Sequence, residues 1–268
     1  MTKKPVAHKA RKRFGQNFLH DHGVIRRIIR SIAPHESDQL VEIGPGLGAL
    51  TEELLSEAGA LDAIELDRDL PPILRTKFFN YGDKFRIHEA DAMKFDFSQL
   101  QKGEKRLRIV GNLPYNISTQ LIFHLLSHAE QVEDMHFMLQ KEVVDRMAAG
   151  PGENNYGRLG IMAQYYCKVE SLFVVPPGAF NPAPKVDSAI IRLTPYRELP
   201  HVAKDVSQFE TVVRTAFNMR RKTLRNNLKP LLSADALEEI GIDPGLRPEK
   251  LPISDFVRIS NYLTDQKG

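Results

Sequence analysis

Residues 39–48 read QLVEIGPGLG, and this stretch decides the fold. Its apolar first half predicts a strand, three glycines follow at positions 44, 46 and 48, and a helical pattern covers 48–58. Glycine allows a sharp turn and lets a ligand approach the backbone without a clash against a Cβ atom. A strand, a glycine-rich turn and a helix in this order are typical of sites that bind nucleotide-containing cofactors. A tight turn with only a structural role is the alternative.

Short apolar runs alternate with helical patterns on both sides of this stretch. Such alternation implies right-handed crossovers and a mostly parallel, doubly wound α/β sheet. Two later apolar runs, 169–175 and 188–194, flank a Pro-rich loop and predict an antiparallel hairpin that closes the sheet. The other predicted strands lie at 39–43, 60–66, 84–88, 107–111 and 134–139, and the predicted helices at 22–33, 48–58, 117–127 and 141–148.

The pattern changes near residue 200. Apolar residues recur at helical spacing over 209–217, and two more short helical patterns follow at 234–240 and 254–263. The sequence therefore predicts a small all-helical second domain. The expected division is a basic N-terminal segment at 1–21, a Rossmann-like catalytic domain at 22–199 and a helical domain at 200–268.

The composition excludes several classes of protein. The chain has 268 residues, 42% of them hydrophobic, which supports one or two domains with a substantial core. The single cysteine, Cys167, excludes a disulfide framework and a Cys-based zinc site within one chain. No apolar run approaches the roughly 18 residues of a membrane span, and the charged N-terminus lacks the apolar segment of a secretory signal. We therefore expect a cytoplasmic protein with no membrane attachment.

The net charge of +3 hides two basic segments. Residues 1–30 carry a net +8 and residues 214–229 carry +6, so the rest of the chain sums to −11. Two concentrated basic segments on an acidic body indicate a polyanionic partner, above all a nucleic acid. A solvated tail and a solvated helix face are the alternatives. A membrane surface is disfavoured, because the second segment lacks a broad apolar face.

The strand at 107–111 leads into Asn112-Leu113-Pro114-Tyr115, at the carboxyl edge where an open sheet binds its ligands. This tetrad offers an amide oxygen, a backbone carbonyl and an aromatic ring, which suit a planar base that carries an amino group. A hydride-transfer enzyme would need a His or Lys acid–base group instead. The alternative is a strand-end turn with a buried tyrosine.

Two acidic residues, Glu65 and Asp67, stand about 20 residues after the glycines, at the end of the second predicted strand. Either can bind a ribose diol. They suit NAD and S-adenosylmethionine equally, and only the tetrad favours S-adenosylmethionine.

Four segments carry a resemblance to a known family: the tetrad, 14–19 (FGQNFL), 180–188 (FNPAPKVDS) and 216–226 (AFNMRRKTLRN). The tetrad is similar to the motif of methyltransferases that act on the amino group of adenine. Together, the four segments resemble the bacterial small-subunit enzymes of the ribosomal RNA adenine dimethyltransferase family. The resemblance extends from about residue 11 to about residue 263.

The resemblance implies a Rossmann-like class I methyltransferase fold with a helical RNA-binding domain. It implies dimethylation of the N6 amines of two adjacent adenosines, in a hairpin loop near the 3′ end of 16S rRNA. The implied cofactor is S-adenosylmethionine, with S-adenosylhomocysteine as product. The implied partner is 16S rRNA within the small (30S) ribosomal subunit or its late precursor, during ribosome biogenesis. We expect a monomer, and no metal is implied for catalysis.

The resemblance also implies residue roles in the cofactor site. Glu65 holds the ribose hydroxyls, and Asp91 accepts a hydrogen bond from the adenine amino group of the cofactor. Without the resemblance, Asp91 would be interpreted as a helix N-cap. The other implied cofactor residues are Asn17 and Leu19, which close over the cofactor, Gly44 and Gly46, which approach its methionine portion, and Asn112.

At the implied target site, Asn112 lies between cofactor and adenine. The amine meets the Asn112 oxygen and the backbone at Leu113, and the base stacks between Tyr115 and Phe180. The second basic segment, 214–229, begins on a predicted helix whose apolar face packs inward, so its candidates for contacts with RNA phosphates are Arg220, Arg221, Lys222 and Arg225.

Three other functions remain open at this point. A large-subunit rRNA adenine dimethyltransferase of the macrolide-resistance type shares the tetrad, but the run RRKTLR at 220–225 favours the small-subunit enzyme. A DNA adenine methyltransferase would more often carry proline in place of Leu113. A non-catalytic assembly factor for the small subunit would not need intact cofactor residues.

Overall fold

The computed structural model describes residues 16–219 and 221–267. The chain divides into two compact units, one of Met1–Val144 and Glu170–Pro195 and the other of Asp145–Val169 and Tyr196–Gly268. The predicted boundary at 199/200 differs from this division, because residues 145–169 group with the helical unit. These residues group with the helical unit because they pack against its helices. For example, the ring of Tyr165 packs against the ring of Phe209, with centroids 4.6 Å apart.

A seven-stranded sheet forms the centre of the first unit. Two further strands are only two residues long. The strands are β1 Phe18–Leu19, β2 Gln39–Ile43, β3 Leu61–Glu65, β4 Phe85–Glu89, β5 Leu107–Asn112, β6 Val132–Gln140, β7 Cys167–Val175, β8 Phe180–Asn181 and β9 Ser188–Pro195. The helices up to the end of β6 are α1 His22–Ile32, α2 Ala49–Ala58, α3 Leu70–Lys77 and α4 Ser118–Leu126, and α5 Lys141–Ala148 follows at once.

The strand order in this sheet is β4-β3-β2-β5-β6-β9-β7. Strands β4, β3, β2, β5 and β6 pair in parallel, and β9 pairs antiparallel with β6. The predicted doubly wound, mostly parallel sheet is therefore confirmed. The carboxyl ends of β2, β3 and β5 meet at one edge of the sheet, where an open α/β sheet binds its ligands.

Helix α1 shows how the sequence builds the core. The side chains of Ile25, Ile28, Ile29 and Ile32 are buried, and their spacing places them on one face of the helix. Asp21 caps the helix by accepting a hydrogen bond from the amide of Val24 at 3.0 Å. Each buried isoleucine stabilises the unit by about 1.5–3 kcal/mol. This packing anchors the chain directly after β1.

A second, two-stranded sheet joins distant parts of the first unit. β1 pairs antiparallel with β8, with Phe18 opposite Asn181 and Leu19 opposite Phe180. The amide of His20 continues the ladder and donates to the carbonyl of Ala179 at 2.9 Å. Two-residue strands carry no periodicity, so the sequence did not predict this sheet.

The second unit is helical. The helices are α6 Arg158–Tyr166, α7 Val206–Ala216, α8 Leu224–Asn227, α9 Ala234–Glu239 and α10 Ile253–Asp265. The core of this unit forms where α7 packs against α6 and α10, through apolar side chains such as Phe209 and Phe256, which are fully buried. Helices α6 and α8 were not predicted from the sequence. Among the residues described in either unit, none of the helices has the length and apolar character needed to span a bilayer.

Candidate active site

A cavity of about 370 Å³ opens at the carboxyl edge of the sheet in the first unit. This volume lies within the range of small-molecule and cofactor pockets. All ten residues predicted for the cofactor and target sites line it. They are Asn17, Leu19, Gly44, Gly46, Glu65, Asp91, Asn112, Leu113, Tyr115 and Phe180.

The glycine-rich turn forms the floor between β2 and α2. Gly44, Gly46 and Gly48 have φ angles of 68°, 59° and 85°, a left-handed region that favours glycine. A Cβ on Gly48 would also lie 2.7 Å from the ring of Phe78, and one on Gly46 would lie 3.1 Å from the ring of Phe18. The turn therefore needs glycine both for its backbone and for its packing.

Glu65 ends β3 with its carboxylate held in place. Only 7% of the residue is exposed, and its Oε1 accepts a hydrogen bond from the amide of Asp67 at 2.8 Å. Burial raises the pKa of Glu65, while hydrogen bonds from the amides of Asp67 and Gly46 lower it. A fixed acceptor at this point suits a ligand hydroxyl pair.

Asp67 was the other candidate for the ribose diol, but the structure gives it a different role. Its side chain is 1% exposed and does not line the cavity. Its Oδ2 accepts from Gln16 Nε2 at 2.9 Å, and its Oδ1 accepts from the amide of Asp69 at 3.2 Å. Asp67 thus fastens the N-terminal segment to the loop after β3.

Asp91 lies in the turn that follows β4. Its Oδ1 accepts from the amide of Met93 at 2.9 Å, and the residues after it form a turn and no helix. The N-cap interpretation is therefore wrong. Within the described residues, Oδ2 has no hydrogen-bond partner, so this carboxylate can accept a hydrogen bond from a ligand in the cavity.

The tetrad follows β5. The Asn112 side chain donates from Nδ2 to the carbonyl of Asn17 at 3.1 Å, and its Oδ1 has no partner among the described residues. Leu113 is buried, and its amide donates to the carbonyl of Met138 at 3.2 Å. Tyr115 is 66% exposed, which contradicts the alternative of a buried tyrosine. Its ring is free to meet a base from outside.

Phe180, in β8, also lines the cavity. It is 4% exposed, so most of its ring belongs to the core and only one part of it faces the cavity. The exposed tyrosine and the buried phenylalanine therefore offer unequal aromatic surfaces.

Glu42, to which the sequence analysis assigned no role, lies in the cavity wall. It is 2% exposed in β2, and its Oε2 accepts from the hydroxyl of Thr51 at 2.6 Å. Burial raises the pKa of Glu42 to about 7, the Thr51 hydrogen bond opposes this, and the nearby Glu65 adds to it. An acidic residue inside the apolar run QLVEI was the available signal.

The cavity is acidic. Glu42, Glu65 and Asp91 line it, and its described lining includes no lysine or arginine. Such a cavity suits a cationic ligand and is unfavourable for the pyrophosphate of NAD. Within the described residues, no group of three or more His, Cys, Asp or Glu side chains is arranged to hold a metal ion.

The predicted RNA-binding residues lie past the end of α7, in the second unit. The basic segment 214–229 begins on α7, as predicted, but α7 ends at Ala216, before these residues. Arg221 and Lys222 lie in the turn that follows, and Arg225 lies in α8. All three are exposed, and no acidic side chain of the described chain pairs with them. Arg220 lies outside the described residues.

The family described as "Ribosomal RNA adenine dimethylase" matches residues 7–265 of the chain. The chain belongs to the ribosomal RNA adenine dimethylase family. It is therefore a methyltransferase, and the predicted family, enzyme class and fold class are confirmed. An NAD-dependent dehydrogenase is excluded.

Individual relatives agree with this membership. The chain is 67% identical to a "Ribosomal RNA small subunit methyltransferase A" of Hahella chejuensis, over 97% of this chain and 95% of that one. It is 62% identical to the protein of the same name from Pseudomonas aeruginosa, over 97% of both chains.

Two solved dimethylase-like structures are also similar. The dimethyladenosine transferase of Plasmodium falciparum has a TM-score of 0.77 and 28% identity, over 90% of this chain and 95% of that one. The 23S rRNA methyltransferase ErmE has a TM-score of 0.73 and 25% identity, over 92% of this chain and 100% of that one. The fold thus serves enzymes for different ribosomal RNAs.

Proposed function

We propose that this member of the dimethylase family transfers methyl groups from S-adenosylmethionine to the N6 amines of two adjacent adenosines near the 3′ end of 16S rRNA. The observation that carries the proposal is the acceptor Oδ1 of Asn112, which has no described partner and faces an acidic cavity. The choice of the small subunit is supported by relatives of that name that are 60–67% identical to the chain.

The cavity residues fit a cationic adenosine cofactor. In the proposed complex, Glu65 accepts hydrogen bonds from the ribose hydroxyls, and Asp91 accepts one from the adenine amino group. Gly44 and Gly46 let the methionine portion lie against the turn, and Asn17 and Leu19 cover the cofactor. The positive charges of S-adenosylmethionine match the acidic lining. When bound, the cofactor supplies an activated methyl group on a sulfonium.

The tetrad orients the amine. The lone pair of an adenine amine is delocalised into the ring, so the amine is a poor nucleophile. Asn112 Oδ1 and the carbonyl of Leu113 accept hydrogen bonds from the two N–H groups of the amine. These two bonds hold the lone pair of the nitrogen toward the cavity. The same two acceptors stabilise the positive charge that grows on the nitrogen during transfer. The sulfonium becomes the neutral thioether of S-adenosylhomocysteine, and the methylated nitrogen releases one proton to solvent. A single N–H then remains, and one acceptor suffices to orient it for the second transfer.

Aromatic surfaces hold the base. Tyr115 offers an exposed ring, and Phe180 offers the part of its ring that faces the cavity. A base stacked in this way cannot also stack within a helix, so the target adenosine must be unpaired or flipped out. A hairpin loop supplies such adenosines.

Exposed cations complete the substrate site. In the proposed complex, phosphates of the rRNA are contacted by the exposed side chains of Arg221, Lys222 and Arg225, and Arg220 belongs to the same run of the sequence. The proposed setting is a small ribosomal subunit or its late precursor in the cytoplasm, with the enzyme acting as a monomer and without a membrane.

The test uses S-adenosylmethionine with a labelled methyl group. The enzyme is offered unmethylated small subunits, large subunits, naked rRNA and duplex DNA, and the modified bases are mapped. We expect dimethyladenosine in small-subunit RNA alone. Label confined to large-subunit RNA would instead assign the resistance-type activity. Salt-sensitive binding to small subunits without any label would leave only an assembly role.

A further inference from the structure

Residues 16–19, here called the strap, all line the cavity. The strap is fastened at both ends within the first unit. At its start, Gln16 Nε2 donates to Asp67 Oδ2 in the loop after β3, at 2.9 Å. At its end, Leu19 pairs with Phe180 in the β1–β8 ladder. The strap therefore connects the loop beside the predicted ribose site to the strand that carries the predicted target aromatic.

The strap also contacts the tetrad. The carbonyl of Asn17 accepts a hydrogen bond from Asn112 Nδ2 at 3.1 Å. A carbonyl oxygen can only accept, so this contact selects the amide orientation in which the nitrogen faces the strap. The other end of the amide, Oδ1, is then left as an acceptor with no partner among the described residues.

We propose that the backbone carbonyl of Asn17 is the positioning group for Asn112, and that the strap in this way couples closure of the cavity to the geometry of methyl transfer. This inference rests on the proposed function. An amide turned by 180° would present N–H donors to an amine that needs an acceptor. The orientation of Asn112 therefore decides whether it assists or opposes the transfer.

The β1–β8 ladder extends the coupling to the other side of the site. The amide of His20 donates to the carbonyl of Ala179 at 2.9 Å, next to the pair formed by Leu19 and Phe180. A displaced strap would shift the backbone of Phe180 together with the carbonyl that orients Asn112. Loosening the strap therefore slows the transfer step itself, even when cofactor and RNA are saturating.

A double-mutant cycle tests this coupling. Gln16→Ala removes the hydrogen bond to Asp67 that fastens the strap. It leaves in place both groups that accept hydrogen bonds from the adenine amine. Single-turnover rates are measured with saturating S-adenosylmethionine and unmethylated small subunits. We expect Gln16→Ala to slow the otherwise unchanged enzyme about tenfold, and to slow an Asn112→Ala enzyme less than about twofold. The second effect is small because the group to be positioned is already gone.

The matched control is His22→Ala, which changes an exposed side chain at the start of α1. We expect it to change the single-turnover rate by less than about twofold, both in the otherwise unchanged enzyme and in the Asn112→Ala enzyme. Equal losses from Gln16→Ala in the two backgrounds would overturn the proposal, because the strap would then act independently of Asn112.

A second measurement needs no activity. The side-chain amide of Asn112 is observed by ¹⁵N NMR and assigned by its disappearance in Asn112→Asp. We expect its protons to be protected from exchange in the unsubstituted protein and to lose that protection in Gln16→Ala. Unchanged protection would contradict the positioning role. An unsubstituted enzyme that methylates no rRNA would refute the proposed function instead, whatever this experiment shows.

Discussion

Asn112 is the side chain whose loss we expect to reduce activity most. Asn112→Ala removes Oδ1 and leaves the backbone pairing of β5 intact. Loss of one preorganised acceptor costs about 3–4 kcal/mol of transition-state stabilisation, so the single-turnover rate should fall by about 10²–10³-fold. Quench-flow with labelled cofactor measures the rate, and thermal unfolding verifies the fold. The control is Asn80→Ala, at an exposed position of the 3₁₀ helix Phe79–Lys84 that follows α3. A near-normal rate for Asn112→Ala would remove this residue from the chemistry.

Glu42 gives cofactor binding a dependence on pH. Burial raises its pKa to about 7, so near neutral pH the carboxyl is partly protonated in the free enzyme. A cationic cofactor in the same cavity favours the carboxylate, and binding therefore releases a proton. The dissociation constant for S-adenosylmethionine should fall as the pH rises from 6 to 8, by up to about tenfold. Calorimetry in buffers of different ionisation enthalpy also counts the released proton.

Glu42→Gln should abolish this dependence, because the amide does not titrate in this range. Glu52→Gln, at an exposed position of α2, should leave it unchanged. If the Glu42→Gln enzyme kept the same pH profile, another group in the cavity would be responsible for it.

Among single residues, local signals predicted much of the site. The glycines of the turn, Asn112 and Tyr115 could be found because their residue types stand next to a predicted strand end. Gly111 could not, since its need for glycine comes from another strand: a Cβ there would lie 2.5 Å from the carbonyl of Ile43. The role of Glu42 could not be predicted either, because the burial of its carboxyl and the hydrogen bond from Thr51 appear only when β2 packs against α2.

At the scale of elements, the basic turn after α7 is held by a buried amide. Asn227 is 3% exposed; its Oδ1 accepts from the amide of Met219 at 3.1 Å, and its Nδ2 donates to the carbonyls of Met219 and Lys222 at 3.1 and 3.3 Å. The turn that carries Arg221 is therefore fixed from the inside.

Asn227→Ala should leave these backbone groups without their partner. We expect a loss of about 1–3 kcal/mol in the free energy of unfolding and weaker binding to small subunits. Chemical denaturation and filter binding measure the two effects. The neighbouring Asn226 is exposed, and its side chain donates a hydrogen bond to the hydroxyl of Thr223, so Asn226→Ala should cost less than about 0.5 kcal/mol. Equal effects of the two substitutions would show that the turn does not depend on the buried amide.

The elements that the sequence missed are those defined by their partners. α6 reads Arg158–Tyr166 with apolar residues spread around it, and its packing against α7 gives it a place in the second unit. β1 and β8 are two residues each and exist only as a pair. Most of the longer elements were predicted to within about three residues, because each has a periodicity of its own.

At the scale of the whole molecule, the concentration of positive charge in two segments of an otherwise acidic chain predicts that binding to small subunits depends on salt. Exposed cations at 221–225 contact phosphates in the proposed complex and release counterions. Reversal of Arg221 and Lys222 to Glu should weaken binding to small subunits and make the slope of log K against log salt shallower by about 1.5. Binding is measured by sedimentation at several salt concentrations.

The control for net charge is Lys102→Glu with Lys105→Glu. Both side chains are exposed in the loop before β5, at the edge of the sheet opposite the cavity. This double variant changes the net charge by the same amount, but it should alter the slope of log K against log salt much less. Equal slopes for the two double variants would mean that total charge, and no particular turn, governs the attraction to rRNA.

The pairing of β1 with β8 also has a consequence for biosynthesis. Its partners are about 160 residues apart along the chain, and contacts of such high sequence separation form late in folding, because a large loop must close first. During translation, α1 and the first parallel strands can collapse while β8 is still within the ribosome. The strap can be fastened only after most of the catalytic unit has emerged. An enzyme that methylates ribosomal RNA thus cannot acquire a complete active site until its own synthesis on a ribosome is well advanced.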